Sequence, residues 1–261
     1  MSYAPFDLTG KAVLITGGNG GIGLGMAEAL ARAGADIVIW GTNEEKNNAA
    51  AATLSAAGPG KILAQRVDVS QETQVADAFG EAVSALGRID TVFLNAGVGG
   101  GSKSFLDISS EMYRDVLKVN LDGAFFTARE ACRHMKTRAE RGDPGGSLVG
   151  VASLAAIEGA ARNEHYAATK GGLVSMMKGI AVEFARYGVR ANAILPGWIA
   201  TDMTSFAQGK PAFEEHVISR VPAGRWGRPE DFGGIAVYLA SDASAFHSGD
   251  TLIVDGGYAI F

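Results

Sequence analysis

The sequence predicts an open, doubly wound α/β sheet in a single domain spanning residues 1–261, and three observations carry that expectation. Short apolar runs alternate with longer helical stretches along the whole chain. The runs AVLIT, IVIW, TVFL and SLVGV have no polar face, as strands do when helices cover both sides of a parallel sheet. Glycine supplies 36 of 261 residues, twice the roughly 7 % typical of proteins and without a collagen-like period, which points to many tight turns.

The elements follow in chain order. Residues 12–16 read as a strand, 22–33 as a helix, 37–40 as a strand and 44–57 as a helix. Next come a strand at 62–66, a helix at 71–86 and a strand at 91–95. One long helix is expected over 110–138, then a strand at 147–152, a helix at 165–187 and a strand at 190–195. A helix near 229–239 precedes the last strand, 251–254. The apolar runs are too short for helices, and the stretches between them are long enough. Seven such units imply right-handed crossovers and a seven-stranded parallel sheet. Residues 199–228 form the least regular stretch.

Composition excludes several classes. A formal charge of −5 and a pI near 5.4 argue against nucleic acid, which wants a basic footprint. The single cysteine, Cys132, excludes an intramolecular disulfide and a cysteine-rich metal site, and it fits a reducing compartment. No apolar run approaches the length of a membrane span. The first basic residue is Lys11 and an apolar strand follows it directly, so no secretory leader is expected. The expectation is a soluble, cytoplasmic protein without a metal site.

Between the first strand and helix lies Thr16-Gly17-Gly18-Asn19-Gly20-Gly21-Ile22-Gly23. Glycines there let the chain turn sharply and bring backbone N–H groups against a pyrophosphate at the positive end of a helix. Its place between a strand and a helix is the context that gives a dinucleotide fingerprint meaning. The spacing Thr-Gly-x-x-x-Gly-x-Gly resembles the short-chain dehydrogenase/reductase family. The resemblance continues through Asp68, Asn95-Ala96-Gly97, Asn120, Ser153, Tyr166-x-x-x-Lys170, Pro196-Gly197 and Val254-Asp255-Gly256-Gly257, in the family's order over nearly the whole chain. It implies a Rossmann fold and an NAD(P)-dependent oxidoreductase that interconverts a secondary alcohol and a ketone.

Tyr166 and Lys170 lie four residues apart, hence on one helical face. A phenol ordinarily titrates near pH ~10, and an ammonium beside it favours the phenolate, so Lys170 is expected to draw Tyr166 toward the working range as general acid or base. Tyr-x-x-x-Lys alone is commonplace on helix surfaces; the glycine turn and Ser153, thirteen residues earlier, give it weight. Ser153 closes a buried strand and should emerge at the carboxyl edge of the sheet. By resemblance Ser153 holds the substrate oxygen, and Asn120 holds a water in a relay to Lys170. The resemblance also sets Asp68 and Val69 at the adenine, and Asn95, Ala96 and Gly97 beside the adenosine ribose. It counts Pro196 and Gly197 among the cofactor-binding residues and sets Ile199 and Thr201, which follow them, at the carboxamide and phosphates. Leu94 departs from the family, which often has a second Asn there, and that puts a local sheet contact in doubt.

The end of the second strand normally separates NAD from NADP, because an acid there holds the ribose 2′-OH and repels a 2′-phosphate. Gly41 occupies that place, followed by Thr42 and Asn43, and no arginine follows. Asn19 stands where NADP enzymes of the family often carry a base. Absence of the acid favours NADP over NAD, while Glu44 and Glu45 lie near enough to oppose it.

The resemblance lines the substrate pocket with 99–102, Leu154, Gly159, Asn163, Trp198 and the segment 203–213. Irregular segments there suggest loops that close over a substrate. His165 reads as a bystander or pocket wall, because adjacent helix residues point about 100° apart. Arg129, Arg133 and Lys136 share a helix face, as in the 3-oxoacyl carrier-protein reductases that the chain also resembles. Solvated cations near a helix C-terminus explain them at least as well. A small-molecule substrate is therefore preferred, with a carrier-protein reductase as the alternative and a non-catalytic cofactor-sensing regulator as the reading from another class. The family implies a homotetramer; Leu173, Met176, Met177, Ile180 and Phe184 are compatible with a second buried face or with core alone.

Overall fold

A computed structural model describing residues 4–261 places seven parallel strands in one sheet. The chain runs β1 (Ala12–Thr16), α1 (Gly21–Arg32), β2 (Asp36–Gly41), α2 (Glu44–Ala57), β3 (Ile62–Arg66), α3 (Glu72–Leu86) and β4 (Thr91–Leu94). It continues through α4 (Ser110–Leu117), α5 (Gly123–Glu140), β5 (Gly146–Val151), α6 (Ala155–Glu158), α7 (Glu164–Glu183) and β6 (Val189–Pro196). The last elements are α8 (Pro211–Val217), α9 (Gly233–Ala240) and β7 (Thr251–Val254).

The strand order is β3-β2-β1-β4-β5-β6-β7. Strand order reverses between β1 and β4, and the crevice outside their carboxyl ends is where such sheets bind ligands. Alternation along β1 sends Ala12 and Leu14 into a core with Val92, Leu148, Met135 and Leu173. Val13 and Ile15 face the opposite core, with Met26, Leu30, Phe93 and Leu239. Both faces of the central strands are therefore covered, as the apolar runs predict. At the amino-terminal edge, buried Asp90 accepts from the Ala12 amide at 3.0 Å and pairs with Arg88 and Arg138, joining β1, β4 and α5 away from the crevice.

One element departs from expectation in a way that matters. The helix expected over 110–138 is broken: α4 passes into a π-helical turn, Lys118–Asp122, before α5 begins. Asn120 is the reason. Its side chain leaves the helix to bond the Val98 backbone, and a wider turn accommodates that pull; π-turns recur at functional sites. Elsewhere, the helix expected to reach residue 187 tightens to 3-10 geometry at Ala185–Tyr187. The stretch 199–228 contains α8 and short 3-10 turns, and α9 is preceded by a 3-10 turn, Pro229–Phe232.

Candidate active site

The glycine turn sits at the switch point and is shaped for close approach. Gly17 has φ +63° and Gly21 φ +51°, conformations costly for any other residue. A Cβ on Gly23 would collide with the Gly17 carbonyl oxygen, so α1 can pack onto the turn only through a glycine. Space above Gly20 is open, and no side chain caps the start of α1. The first-turn N–H groups are thus left for an external anion, which is the fit a dinucleotide pyrophosphate requires. Thr201 lies across the turn, its methyl 3.3 Å from where a Gly21 Cβ would stand, and Ile199 is buried just before it.

Thr16 and Asn95 fasten this turn to β4. The Thr16 hydroxyl accepts from the amides of Asn95 and Ala96, both at 2.9 Å, while Asn95 Nδ2 donates to the carbonyls of Thr16 and Gly17. Asp68 accepts from the Ser70 amide, Val69 is buried and packs against Gly123, and Gly197 donates its amide to Val254 with its Cα pressed on Asp255.

At the end of β2, Gly41 has no room for a side chain, because Asn19 and Asn47 occupy the place. Asn19 Nδ2 donates to Asn47 Oδ1 at 2.7 Å, and Asn47 Nδ2 donates to the carbonyls of Gly41 and Gln65. Asn43 caps α2 by accepting from the Lys46 amide. Gly41 pairs in register with Arg66 of β3, whose Nε donates to the Thr42 carbonyl at 3.2 Å. This arginine is 24 residues from Thr42, and only the pairing of β2 with β3 brings it there. Counting the strand register would have found it; reading along the loop could not.

Asn120, Ser153, Tyr166 and Lys170 converge beyond β4 and β5. A Cβ on Gly97 would be 3.4 Å from both Asn120 Oδ1 and Lys170 Nζ, so the two side chains flank one glycine. Asn120, 1 % exposed, accepts from the Val98 amide at 2.8 Å and donates to the Val98 carbonyl at 2.9 Å. Its Nδ2 also donates to the Thr169 hydroxyl at 3.3 Å, which in turn donates to the Tyr166 carbonyl at 2.7 Å. The Ser153 hydroxyl lies near enough to the Tyr166 phenol to act on its titration, and it accepts from the Ala155 amide at 3.2 Å.

The electrostatics differ from the sequence expectation. Burial pushes the Tyr166 phenol up from its ordinary value, and the Ser153 hydroxyl opposes this. Lys170 does not draw it down: its ammonium lies 5.6 Å from the ring centroid and donates to the Val151 carbonyl at 2.8 Å. Burial lowers Lys170 itself to about 8. Tyr166 is consequently held as a neutral phenol at neutral pH.

Of the remaining pocket residues, Leu154 packs into the core and Gly159 is open, with φ +76°. Asn163 is half-buried and its Oδ1 has no partner among the described residues. Trp198 packs edge-on against Phe213 and Trp226, which stack on each other. Met203 lies within 3.7 Å of where a Gly99 Cβ would stand, so the two irregular segments meet across the cleft. His165 is buried, and neither ring nitrogen has a partner among the described residues. Leu173 and Met177 are core residues, and Met176, Ile180 and Phe184 are partly buried and pack against that core.

A turn shaped for a pyrophosphate beside a serine, tyrosine and lysine defines a nicotinamide-dependent oxidoreductase, and comparison with known proteins agrees. A family model described as Enoyl-(Acyl carrier protein) reductase matches residues 17–259. L-rhamnose 1-dehydrogenase (NAD(P)(+)) of Azotobacter vinelandii is 38 % identical over 253 residues, covering 96 % of this chain and 97 % of that one. The 3-oxoacyl-(acyl-carrier-protein) reductase of Chlamydia pneumoniae is 37 % identical over 251 residues, 96 % of this chain and 97 % of that one. A crystal structure of a gluconate 5-dehydrogenase from Burkholderia cenocepacia, in complex with NADP and tartrate, superposes with a TM-score of 0.90 at 35 % identity, covering 98 % of this chain and 99 % of that one. The chain belongs to the short-chain dehydrogenase/reductase family. It is an NAD(P)-dependent enzyme that interconverts a secondary alcohol and a ketone.

Proposed function

We propose that the chain, acting as one dinucleotide-binding and catalytic domain, reduces the ketone of a small polyhydroxylated molecule, or oxidises the corresponding alcohol, with NADP as preferred cofactor. The meeting of Asn120 and Lys170 across Gly97, with Tyr166 beside Lys170 and Ser153 near the phenol, carries this reading. The residues that would hold the cofactor are Gly17, Gly20, Gly21, Ile22 and Gly23 at its pyrophosphate and Gly41, Thr42 and Asn43 at the adenosine ribose. Asp68, Val69, Asn95, Ala96, Gly97, Pro196, Gly197, Ile199 and Thr201 would line the rest. When bound, the nicotinamide supplies or accepts a hydride.

The chain's own residues manage the proton. Ser153 orients the substrate oxygen toward the Tyr166 hydroxyl. Tyr166, kept neutral by burial, gives that oxygen its proton during reduction and is left as the phenolate; in the oxidative direction that phenolate takes the proton of the alcohol and becomes the phenol. Lys170, fixed on the Val151 carbonyl, supplies a proton-bearing group behind it. Asn120 holds the π-turn and the Thr169 hydroxyl in place for a relay.

A small substrate is favoured over an acyl carrier because the cations of α5 are neutralised within the chain. Arg129 pairs with Glu72, Arg133 with Glu130, Lys136 with Glu140 and Arg138 with Asp143. Rhamnose and gluconate dehydrogenases among the relatives support a sugar or sugar acid, and the unpartnered Asn163 Oδ1 suits a substrate hydroxyl. A homotetramer in the cytoplasm is part of this proposal; exposed Val182 and Phe125 on the outer helices support association, and a single buried thiol suits a reducing compartment. The test is turnover of purified protein with NADP against sugars, sugar acids and carrier-linked 3-oxoacyl chains. Activity on the first two groups is expected; activity on the carrier-linked chain alone would overturn the substrate assignment.

A further inference from the structure

We propose that Arg66, reaching from the end of β3, is the residue that selects a 2′-phosphorylated dinucleotide over its unphosphorylated counterpart. This rests on the NADP reading above and names the group responsible for it. The 2′ position of a dinucleotide ribose is read at the carboxyl end of the second strand. In this chain that end has no acid, and Gly41 cannot be replaced by one without displacing Asn19 and Asn47. Loss of a repelling carboxylate permits a phosphate but does not attract one; attraction needs a cation.

Three groups near this corner compete for the part. Asn19 is uncharged, and its amide is committed to Asn47 at 2.7 Å. Lys46 is held by Asp202 at 2.8 Å, with both side chains exposed. Arg66 is different. Its Nε donates to the Thr42 carbonyl at 3.2 Å, which positions the guanidinium beside the two residues that follow β2, and its two terminal nitrogens have no hydrogen-bond or ion-pair partner among the described residues. The pairing of Gly41 with Arg66, and the bond from the Val67 amide to the Gly41 carbonyl, fix this placement through backbone. A planar guanidinium with two free nitrogens matches the oxygens of a phosphate monoester in two-point contact. Thr42, whose carbonyl holds the Arg66 Nε, carries a hydroxyl as a further donor. Glu44 and Glu45 open α2 nearby and would oppose the phosphate. Arg66 offsets them.

The experiment is fluorescence titration of NADPH and NADH into the wild-type chain, Arg66→Gln and Lys46→Gln. Wild type is expected to bind NADPH more tightly. Arg66→Gln is expected to weaken NADPH about 10- to 100-fold, the range for loss of a charge-assisted hydrogen-bonded pair, with NADH affinity retained. Lys46→Gln is expected to keep the wild-type ratio. Equal affinity of wild type for both cofactors would overturn the NADP reading itself. A wild-type preference for NADPH that survives in Arg66→Gln, or disappears in Lys46→Gln instead, would overturn the assignment to Arg66 alone. Loss of NADH binding in Arg66→Gln would show that the residue acts on the fold rather than on the phosphate, and would also overturn it.

Discussion

The Asn120 side-chain amide makes a two-point contact with the Val98 backbone, accepting from its N–H at 2.8 Å and donating to its carbonyl at 2.9 Å. This contact ties the π-turn between α4 and α5 to the segment leaving β4, and it sets the distance across Gly97 to Lys170. Replacing Asn120 by Leu removes both of these hydrogen bonds to the Val98 backbone. The expected loss is about 1–3 kcal/mol of stability by urea denaturation, together with reduced turnover. Unchanged stability would show that the contact is incidental.

The Asn19–Asn47 bond makes the end of β2 resistant to a simple change of cofactor preference. Gly41→Asp is expected to lower the melting temperature, at a cost of about 1–3 kcal/mol for overpacking. Adding Asn19→Gly removes one obstruction and should recover part of the loss. Thermal melts of the single and double variants decide it; additive destabilisation would contradict the steric account.

Cys132 is buried and burial pushes its thiol up to about 12. At pH 8 the native chain should therefore resist alkylation, and labelling should appear only as urea unfolds it. Rapid modification of the native chain would contradict the placement.

Lys170 gives stability a definite dependence on pH. Its folded value is about 8, against about 10.4 for a free lysine, so between these limits the unfolded chain binds the proton and the folded chain does not. The penalty for burying the charged form is full below pH 8 and is relieved as the pH rises through this window, worth about 3 kcal/mol in all. Lys170→Met lacks the group, so its stability relative to wild type should fall by that order from pH 8 to about 10.4. A constant difference would show that Lys170 titrates as it does in water.

Much of the fold is legible in the sequence because its signals are local. β1, β2, β4 and β5 are apolar on both faces, and the glycine turn announces itself by spacing. Asn120, Ser153, Tyr166 and Lys170 are legible only as a pattern, since their meeting depends on the ends of β4 and β5 and on a turn of α7. The π-turn at Asn120 escapes helix periodicity because a bond to Val98, 22 residues away, creates it. The phenol of Tyr166 is misread from spacing for a similar reason. Four residues on a helix put Lys170 on the same face, but the Val151 carbonyl claims its ammonium. Arg66 is hidden altogether until β3 is laid beside β2.

The central claim is that Tyr166 exchanges the proton with the substrate oxygen. Its most direct test is a single turnover of Tyr166→Phe premixed with NADPH and a ketone substrate, with NADPH affinity measured on the same sample. A fall in the reduction rate of about 10²–10⁴-fold with NADPH affinity intact is the predicted result. A wild-type rate in the phenylalanine variant would contradict it.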